Sequence, residues 1–86
     1  MKRLEKSFEI EVHTDALGNA DKKLKLSEQR AAKLSELLLY LGLSADQFTC
    51  IGKGGSEPIG DNRTVKGRQQ NNRVIVLFLD DMEDGI

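Results

Sequence analysis

The two ends of the chain carry strand patterns. Phe8, Ile10 and Val12 alternate with charged residues, and this period of two predicts a strand with one face on a core and the other in water. The run 73–79 is apolar on both faces, which is typical of a strand in the middle of a sheet, so we expect it to be central. A second, shorter strand is predicted over 48–51.

A long helix is predicted between the first two strands. Apolar residues recur at steps of three and four over 31–41, which gives this helix one apolar face. Ser27 is a good N-cap, and Gly42 suits the left-handed position that follows a helix. The predicted helix therefore runs from about residue 27 to residue 41.

The stretch before the last strand contains a glycine-rich loop, 52–58, and a short helix over about 65–70. Asp61 and Asn62 precede this helix, and we expect them to cap it. The elements follow the order βαβαβ, so the sequence predicts a small α+β domain with a mixed sheet and helices on one face.

The composition and charge of the chain narrow the classes of function. With 86 residues, the chain allows one small domain, expected over 1–79, followed by an acidic and frayed tail over 80–86. The 13 basic and 14 acidic residues leave a formal net charge of −1. Because no basic field is present to neutralise phosphates, we expect no nucleic-acid partner.

The sequence has neither a membrane span nor a signal peptide. No run approaches the roughly 20 apolar residues that cross a bilayer. The charged N-terminal residues are not followed by the hydrophobic segment of a signal peptide. If the protein works outside the cytoplasm, we expect its export signal, and any attachment to a membrane, to lie upstream of this sequence.

No pattern typical of an enzyme or a metal site is present. Cys50 is the only cysteine and His13 the only histidine, which excludes an internal disulfide and any site built from several of either residue. The glycine-rich loop lacks the Gly-Lys-Ser/Thr ending of a phosphate-binding loop. No Ser or Cys lies in a recognisable catalytic motif. We therefore predict a protein that is not an enzyme and has no metal or cofactor.

A candidate binding site involves Arg30. If Ser27 is the N-cap, Arg30 lies in the first helical turn. A cation there opposes the helix dipole, at a cost of about 0.3 kcal/mol or somewhat more. Its guanidinium and the free amides of that turn would make a carboxylate receptor. Asp15, in the preceding loop, would bind an ammonium group. The pair suits a zwitterionic amino-acid head group, but spacing alone favours a plain Asp15–Arg30 salt bridge that pins the loop.

Five short motifs resemble, in their order and near their spacings, the OmpA-like domain family. They are Val12-His13-Thr14-Asp15-x2-Gly18, Leu26-Ser27-x2-Arg30-Ala31, Gly52-x-Gly54-x3-Pro58-Ile59, Asp61-Asn62-x-Thr64-x2-Gly67-Arg68 and Asn71-x-Arg73-Val74. Each motif alone is weak, but the series extends over about residues 8–79 and is specific. The resemblance implies a βαβα-type fold that binds peptidoglycan non-covalently and anchors the cell envelope.

The resemblance also implies the ligand and the roles of individual residues. In the family, the Asp of His-Thr-Asp and the Arg of Leu-Ser-x-x-Arg hold the diaminopimelate of the peptidoglycan stem peptide. Asp15 is therefore expected to bind the ammonium group and Arg30 the carboxylate, with Thr14 and Arg73 completing the pocket. This favours the ligand clamp over the plain salt bridge. The implied location is periplasmic, at the cell envelope or the outer membrane.

Three further motif residues are expected at the rim of the pocket or in its support. We expect His13 to fix the loop by hydrogen bonding rather than to contact the ligand. Asn71 is expected to support the site or lie at its rim. Arg68 is expected either to form a structural ion pair or to lie at the rim.

The chain departs from the family pattern at several positions. Lys23 replaces an asparagine that would contribute a ligand hydrogen bond, Asn72 replaces an arginine, and Val12 replaces a glycine. The family's opening strand and first helix have no counterpart, so an apolar helix face and a strand edge are expected to be uncovered. We therefore expect a homo-oligomer. The alternative function is a structural or oligomerisation module whose ligand site has lapsed.

Overall fold

The computed structural model describes residues 7–79, which form three strands and two helices. In chain order these are β1 (Ser7–His13), α1 (Ala20–Tyr40), β2 (Phe48–Gly54), α2 (Val65–Asn71) and β3 (Arg73–Leu79). The predicted βαβαβ order and α+β class are confirmed. The predicted tail over 80–86 lies outside the described residues, as do residues 1–6 of the predicted domain.

β1 lies in the middle of the sheet, whose order is β2-β1-β3. It pairs in parallel with β2 and in antiparallel with β3. The prediction that the last strand is central is therefore wrong, because β3 is an edge strand within residues 7–79. Apolar residues on both faces of a strand predict that both faces are covered by other parts of the protein. They do not determine whether neighbouring strands pair with its backbone on one edge or on both.

One face of the sheet forms the core together with α1. The buried hydrophobic residues are Ile10 and Val12 on β1, Ala31 on α1 and Phe48 on β2. α1 packs mainly on β2 and β1. Val76 on β3 pairs with Ile10 and so points to the same face, but it lies beyond the cover of α1 and is 46% exposed.

α1 begins earlier than predicted, directly after Asn19. The Asn19 side chain accepts a hydrogen bond from the backbone N–H of Lys22 at 3.0 Å, which is an N-cap contact. The prediction of Ser27 as N-cap is wrong, because Ser27 is fully buried inside the helix. Its hydroxyl donates to the carbonyl of Leu24 and accepts from the N–H of Gly54, both at 2.8 Å. Ser27 therefore attaches α1 to β2.

α1 ends where the sequence predicts. Gly42 has a φ of +105°, in the left-handed region that glycine adopts most readily. The N–H of Gly42 donates to the carbonyl of Leu39 and that of Leu43 to the carbonyl of Leu38, both at 3.1 Å. This is the Schellman pattern, which satisfies carbonyls that the helix itself leaves without partners.

The cap of α2 differs from the prediction. Thr64 is the N-cap, and its hydroxyl accepts from the N–H of Gly67 at 2.9 Å. Asp61 instead accepts from the N–H of Arg63 at 2.8 Å, within the preceding turn, and Asn62 contacts the loop before α1. The expectation that Asp61 and Asn62 cap this helix is therefore wrong.

Neither α1 nor α2 has both the length and the apolar character needed to cross a membrane.

Candidate functional site

The loop between β1 and α1 carries Asp15 and is fixed at both sides of that residue. The N–H of Thr14 donates to the carbonyl of Gly54 on β2 at 2.9 Å, and the Thr14 hydroxyl donates to the carbonyl of Asp15 at 2.8 Å. On the other side, the Asn62 side chain accepts from the N–H of Ala16 at 3.0 Å. Thr14 is 1% exposed, so its side chain shapes the loop from inside the protein.

The carboxylate of Asp15 is held by three donors. Lys23 Nζ lies 2.9 Å from Oδ1, which also accepts from the N–H of Leu17 at 2.9 Å. The Asn72 carboxamide donates to Oδ2 at 2.9 Å and accepts from the backbone N–H of Asp15 at 3.1 Å. Asn72 therefore clamps both the backbone and the side chain of Asp15.

These contacts favour the charged form of Asp15. The hydrogen bond from Lys23, and then that from Asn72, lower the pKa of the carboxyl to about 2. Burial of the group opposes this shift, but it is a smaller effect than the two hydrogen bonds. Asp15 is therefore ionised at any pH above about 3, and it is a fixed negative charge on a residue that is only 9% exposed.

Arg30 occupies a different position from the one expected. Because α1 begins at Ala20, Arg30 lies in the third helical turn and not in the first, so the argument from the free first-turn amides is wrong. Arg30 is exposed, and among residues 7–79 the cation paired with Asp15 is Lys23. The plain Asp15–Arg30 salt bridge is therefore wrong. Lys23 and Arg30 are seven residues apart, which places them on one face of α1, about 10 Å apart along its axis.

A surface depression brings Arg30 close to the last strand. It has a volume of about 270 Å³ and is lined by Val12, His13, Arg30, Leu34, Asn72, Arg73 and Val74. Arg30 and Arg73 therefore line the same depression, from α1 and β3. Asn72 joins this depression to Asp15, because the residue lines the depression and its side chain donates a hydrogen bond to Asp15.

Arg73 is oriented by backbone carbonyls. Its Nη2 donates to the carbonyl of Glu57 at 2.9 Å and its Nη1 to that of Asn71 at 3.3 Å. The buried Nε has no partner within residues 7–79. Two carbonyls do not neutralise a guanidinium, so Arg73 keeps its positive charge at the edge of the depression.

His13 is almost fully buried and bonds to its own strand. Its Nε2 lies 2.9 Å from Glu11 Oε1, so within the described residues its hydrogen bond fixes β1 and not the loop. Glu11, His13 and Glu57 also bring possible metal-ligand atoms within 4.8 Å of one another. However, the imidazole is already bonded to Glu11, and Lys53 lies 3.8 Å from the Glu57 carboxylate. We assign no metal to this group.

Asn71 supports the site from a fully buried position. Its Oδ1 accepts from the N–H groups of Ile59 and Gly60, both at 2.7 Å. Its Nδ2 donates to the carbonyl of Gly60 at 3.0 Å and to Asn62 Oδ1 at 2.8 Å. Since Asn62 Oδ1 also accepts from Ala16, a hydrogen-bonded path leads from the end of α2 to the loop of Asp15. Of the two roles expected for Asn71, the geometry is that of support.

Arg68 contributes to the same support. Its Nη1 donates to the carbonyl of Asn62 at 2.9 Å, and its own carbonyl accepts from Asn72 Nδ2 at 3.0 Å. Within residues 7–79 it forms no ion pair with an acidic side chain. Arg68 therefore bonds to both asparagines whose side chains contact the Asp15 loop, to the backbone of Asn62 and to the side chain of Asn72.

Lys23 and Asn72 are the contacts that the sequence interpretation missed. Both were identified only as departures from the family pattern, although they are the two side chains that hold the Asp15 carboxylate. The available signal for Lys23 was Asn19, because a helix that begins after Asn19 places Lys23 in its first turn, beside the loop. For Asn72 the sequence carries no signal, since the contact depends on how β3 is placed against β1.

The chain belongs to the OmpA family, whose model matches residues 1–73. It is 38% identical over 68 residues to outer membrane porin F of Pseudomonas fluorescens, covering 79% of this chain and 21% of that protein. It is 34% identical over 68 residues to the peptidoglycan-binding protein ArfA of Mycobacterium bovis, again covering 79% and 21%. The chain thus spans about a fifth of the length of these relatives.

The fold is also found in solved structures. The peptidoglycan-associated lipoprotein of Burkholderia pseudomallei superposes with a TM-score of 0.79 and 23% identity. The superposition covers 86% of this chain and 63% of the lipoprotein. The expected OmpA-like fold is therefore confirmed.

Proposed function

We propose that this domain binds peptidoglycan non-covalently, through the diaminopimelate of the stem peptide, and so anchors the cell envelope. Membership of the OmpA family supports this, as does the similarity to a relative named for peptidoglycan binding. The relatives named for the outer membrane support a location in the periplasm or at the envelope. In this proposal the domain acts as a binding module and not as an enzyme.

The observation that carries the proposal is the position of Asn72 between the two charges. The far end of diaminopimelate carries an ammonium and a carboxylate on one carbon atom. Asp15 supplies an ionised carboxylate for the ammonium, and Arg30 supplies a guanidinium for the carboxylate. Asn72 bonds the former and lines the same depression as the latter, so it lies between the two charges. Arg73 adds a second cation beside the carboxylate position.

The proposal is tested by an NMR titration with a soluble muropeptide that contains diaminopimelate. We expect the amide signals of Asp15, Arg30 and Arg73 to shift. Arg30→Ala should weaken binding about tenfold or more, because a charge-assisted hydrogen bond is lost. Lys33→Ala is the matched control, since Lys33 is an exposed cation on the same helix and does not line the depression. Signals that stay unmoved at millimolar ligand would contradict the proposal.

A muropeptide with lysine in place of diaminopimelate tests the role of Arg30 directly. It keeps the ammonium group but lacks the carboxylate on the same carbon. We expect wild type to prefer the diaminopimelate ligand and Arg30→Ala to lose most of that preference. If Arg30→Ala discriminates between the two ligands as well as wild type does, Arg30 does not bind this carboxylate.

The uncovered apolar strand favours the second candidate, an oligomerisation module. Val74, Val76 and Phe78 lie on the face of β3 that points toward the α1 side of the sheet, and they are 55%, 46% and 69% exposed. β3 also has an open backbone edge among residues 7–79. We propose a second copy of this chain as the occupant, since two β3 edges can pair with each other.

Light scattering tests the oligomer. We expect a dimer or a higher oligomer at micromolar concentration, and Val76→Lys should shift it toward the monomer because a charge is then placed on the apolar edge. Thr49→Lys is the control, since Thr49 is exposed on β2, at the opposite edge of the sheet. A well-folded wild-type monomer would exclude this assembly.

A further inference from the structure

The side chain of Lys23 lies where an ammonium ligand of Asp15 would lie. Its Nζ is 2.9 Å from Oδ1, and the two side chains are only 24% and 12% exposed. We propose that the Lys23 ammonium competes with the ligand's ammonium for Asp15 and so sets the affinity of the site. This inference rests on the proposed function, because it concerns the same carboxylate.

The Asp15 carboxylate has too few free acceptor positions to bond fully to the Lys23 ammonium and to the ligand's ammonium at the same time. A carboxylate accepts about four hydrogen bonds through its two oxygens. Lys23 and the N–H of Leu17 bond to Oδ1, and Asn72 bonds to Oδ2. An incoming ammonium group therefore finds most of the positions taken. It gains a full contact with Asp15 only when Lys23 moves away, whereas Leu17 and Asn72 hold the loop and remain.

Lys23 has room to move away. Lys23 lines a second cavity of about 360 Å³, which also borders the last residues of β2 and the loop that follows them. Asp21 also lines this cavity. A lysine side chain is a flexible stem with four rotatable bonds, so its ammonium group can turn away from Asp15 when a ligand takes its place. Lys23 therefore reduces the affinity of the site for the ligand but does not prevent the ligand from binding.

The substitution Lys23→Met tests the competition, because methionine keeps most of the apolar stem and removes the charge. We expect the diaminopimelate muropeptide to bind about three- to tenfold more tightly to this variant, because no ammonium group then has to leave Asp15 before the ligand binds. Lys22→Met is the matched control, since Lys22 is exposed in the same helical turn. Its affinity should stay within about twofold of wild type.

The pKa of Asp15, followed by NMR of its carboxyl carbon, checks that the effect acts through this contact. Lys23 is the largest cause of the low pKa, which lies at about 2 in the wild-type protein. The pKa should therefore rise toward its ordinary value in Lys23→Met and stay low in Lys22→Met. Lys23→Gln, also uncharged, serves as a second variant if the methionine variant does not fold.

The outcomes separate this inference from the proposed function. If wild type binds and the neutral variants bind no more tightly, the competition is excluded and the proposed function stands. If Lys23→Met binds and wild type does not, the proposed function fails for this chain and the competition is established. If none of them binds, both are wrong. Weaker binding by the neutral variants would mean that Lys23 contacts the ligand directly, which also overturns the inference.

Discussion

Asn71→Leu is expected to lower the free energy of unfolding by about 3 kcal/mol or more, because each of four buried hydrogen bonds is worth roughly 1 kcal/mol. The substitution keeps a similar volume but removes the acceptor for Ile59 and Gly60 and the donor to Gly60 and Asn62. For a domain of this size, that loss is a large part of the total stability. Urea denaturation followed by circular dichroism measures it.

Gln69→Leu is the control for this prediction. Gln69 is exposed on the same helix, and its replacement should change stability by no more than about 0.5 kcal/mol. Asn71→Leu should also weaken muropeptide binding under conditions where it is still folded, because the path through Asn62 to the Asp15 loop is broken. A stability within about 1 kcal/mol of wild type would show that the Asn71 bonds do not hold the loop before α2.

Local patterns were sufficient to predict most of the elements. The alternation around Phe8 to Val12 identifies β1, and the apolar run identifies β3 with the bounds that the structure has. Gly42 identifies the end of α1, because a left-handed residue there depends only on the neighbouring backbone. These features are encoded within a few residues of where they appear, so a single sequence contains them.

The start of α1 was missed because two residues qualify as its cap. Asn19 and Ser27 both have side chains that accept from a free amide, and the sequence does not say which of them does. The structure uses the Ser27 hydroxyl to join α1 to β2 instead. A helix that starts at Ser27 would place Arg30 in its first turn and leave Lys23 in the preceding loop. The wrong start therefore changes the interpretation of the site more than that of the fold.

The place of β3 and the role of Asn72 depend on tertiary contacts. Which strand is central is decided by the backbone pairing of β1 with both neighbours. Asn72 follows α2, and only the antiparallel pairing of β3 with β1 brings it to Asp15. A substitution that looks like the loss of a cation is therefore also the gain of a clamp, which no local pattern predicts.

Gly52→Ala is expected to destabilise the protein by about 2–3 kcal/mol, as overpacking does. A Cβ on Gly52 would lie 2.6 Å from the carbonyl carbon of Ser27 and 2.7 Å from Glu28 Cα, which are backbone atoms and cannot rotate away. α1 would have to move off β2, and it would carry both Lys23 and Arg30 with it. Muropeptide affinity should therefore fall together with the stability, which urea denaturation and the NMR titration measure.

The matched control is another glycine-to-alanine change, at a position with space around it. Gly18→Ala meets no atom within 4 Å, and its cost comes only from its φ of +97°, which is about 1 kcal/mol. Gly52 has no positive φ, so alanine fits its backbone and the contact with α1 is the whole reason for the loss. If Gly52→Ala costs no more than Gly18→Ala, the close approach of α1 and β2 does not limit the position of the helix.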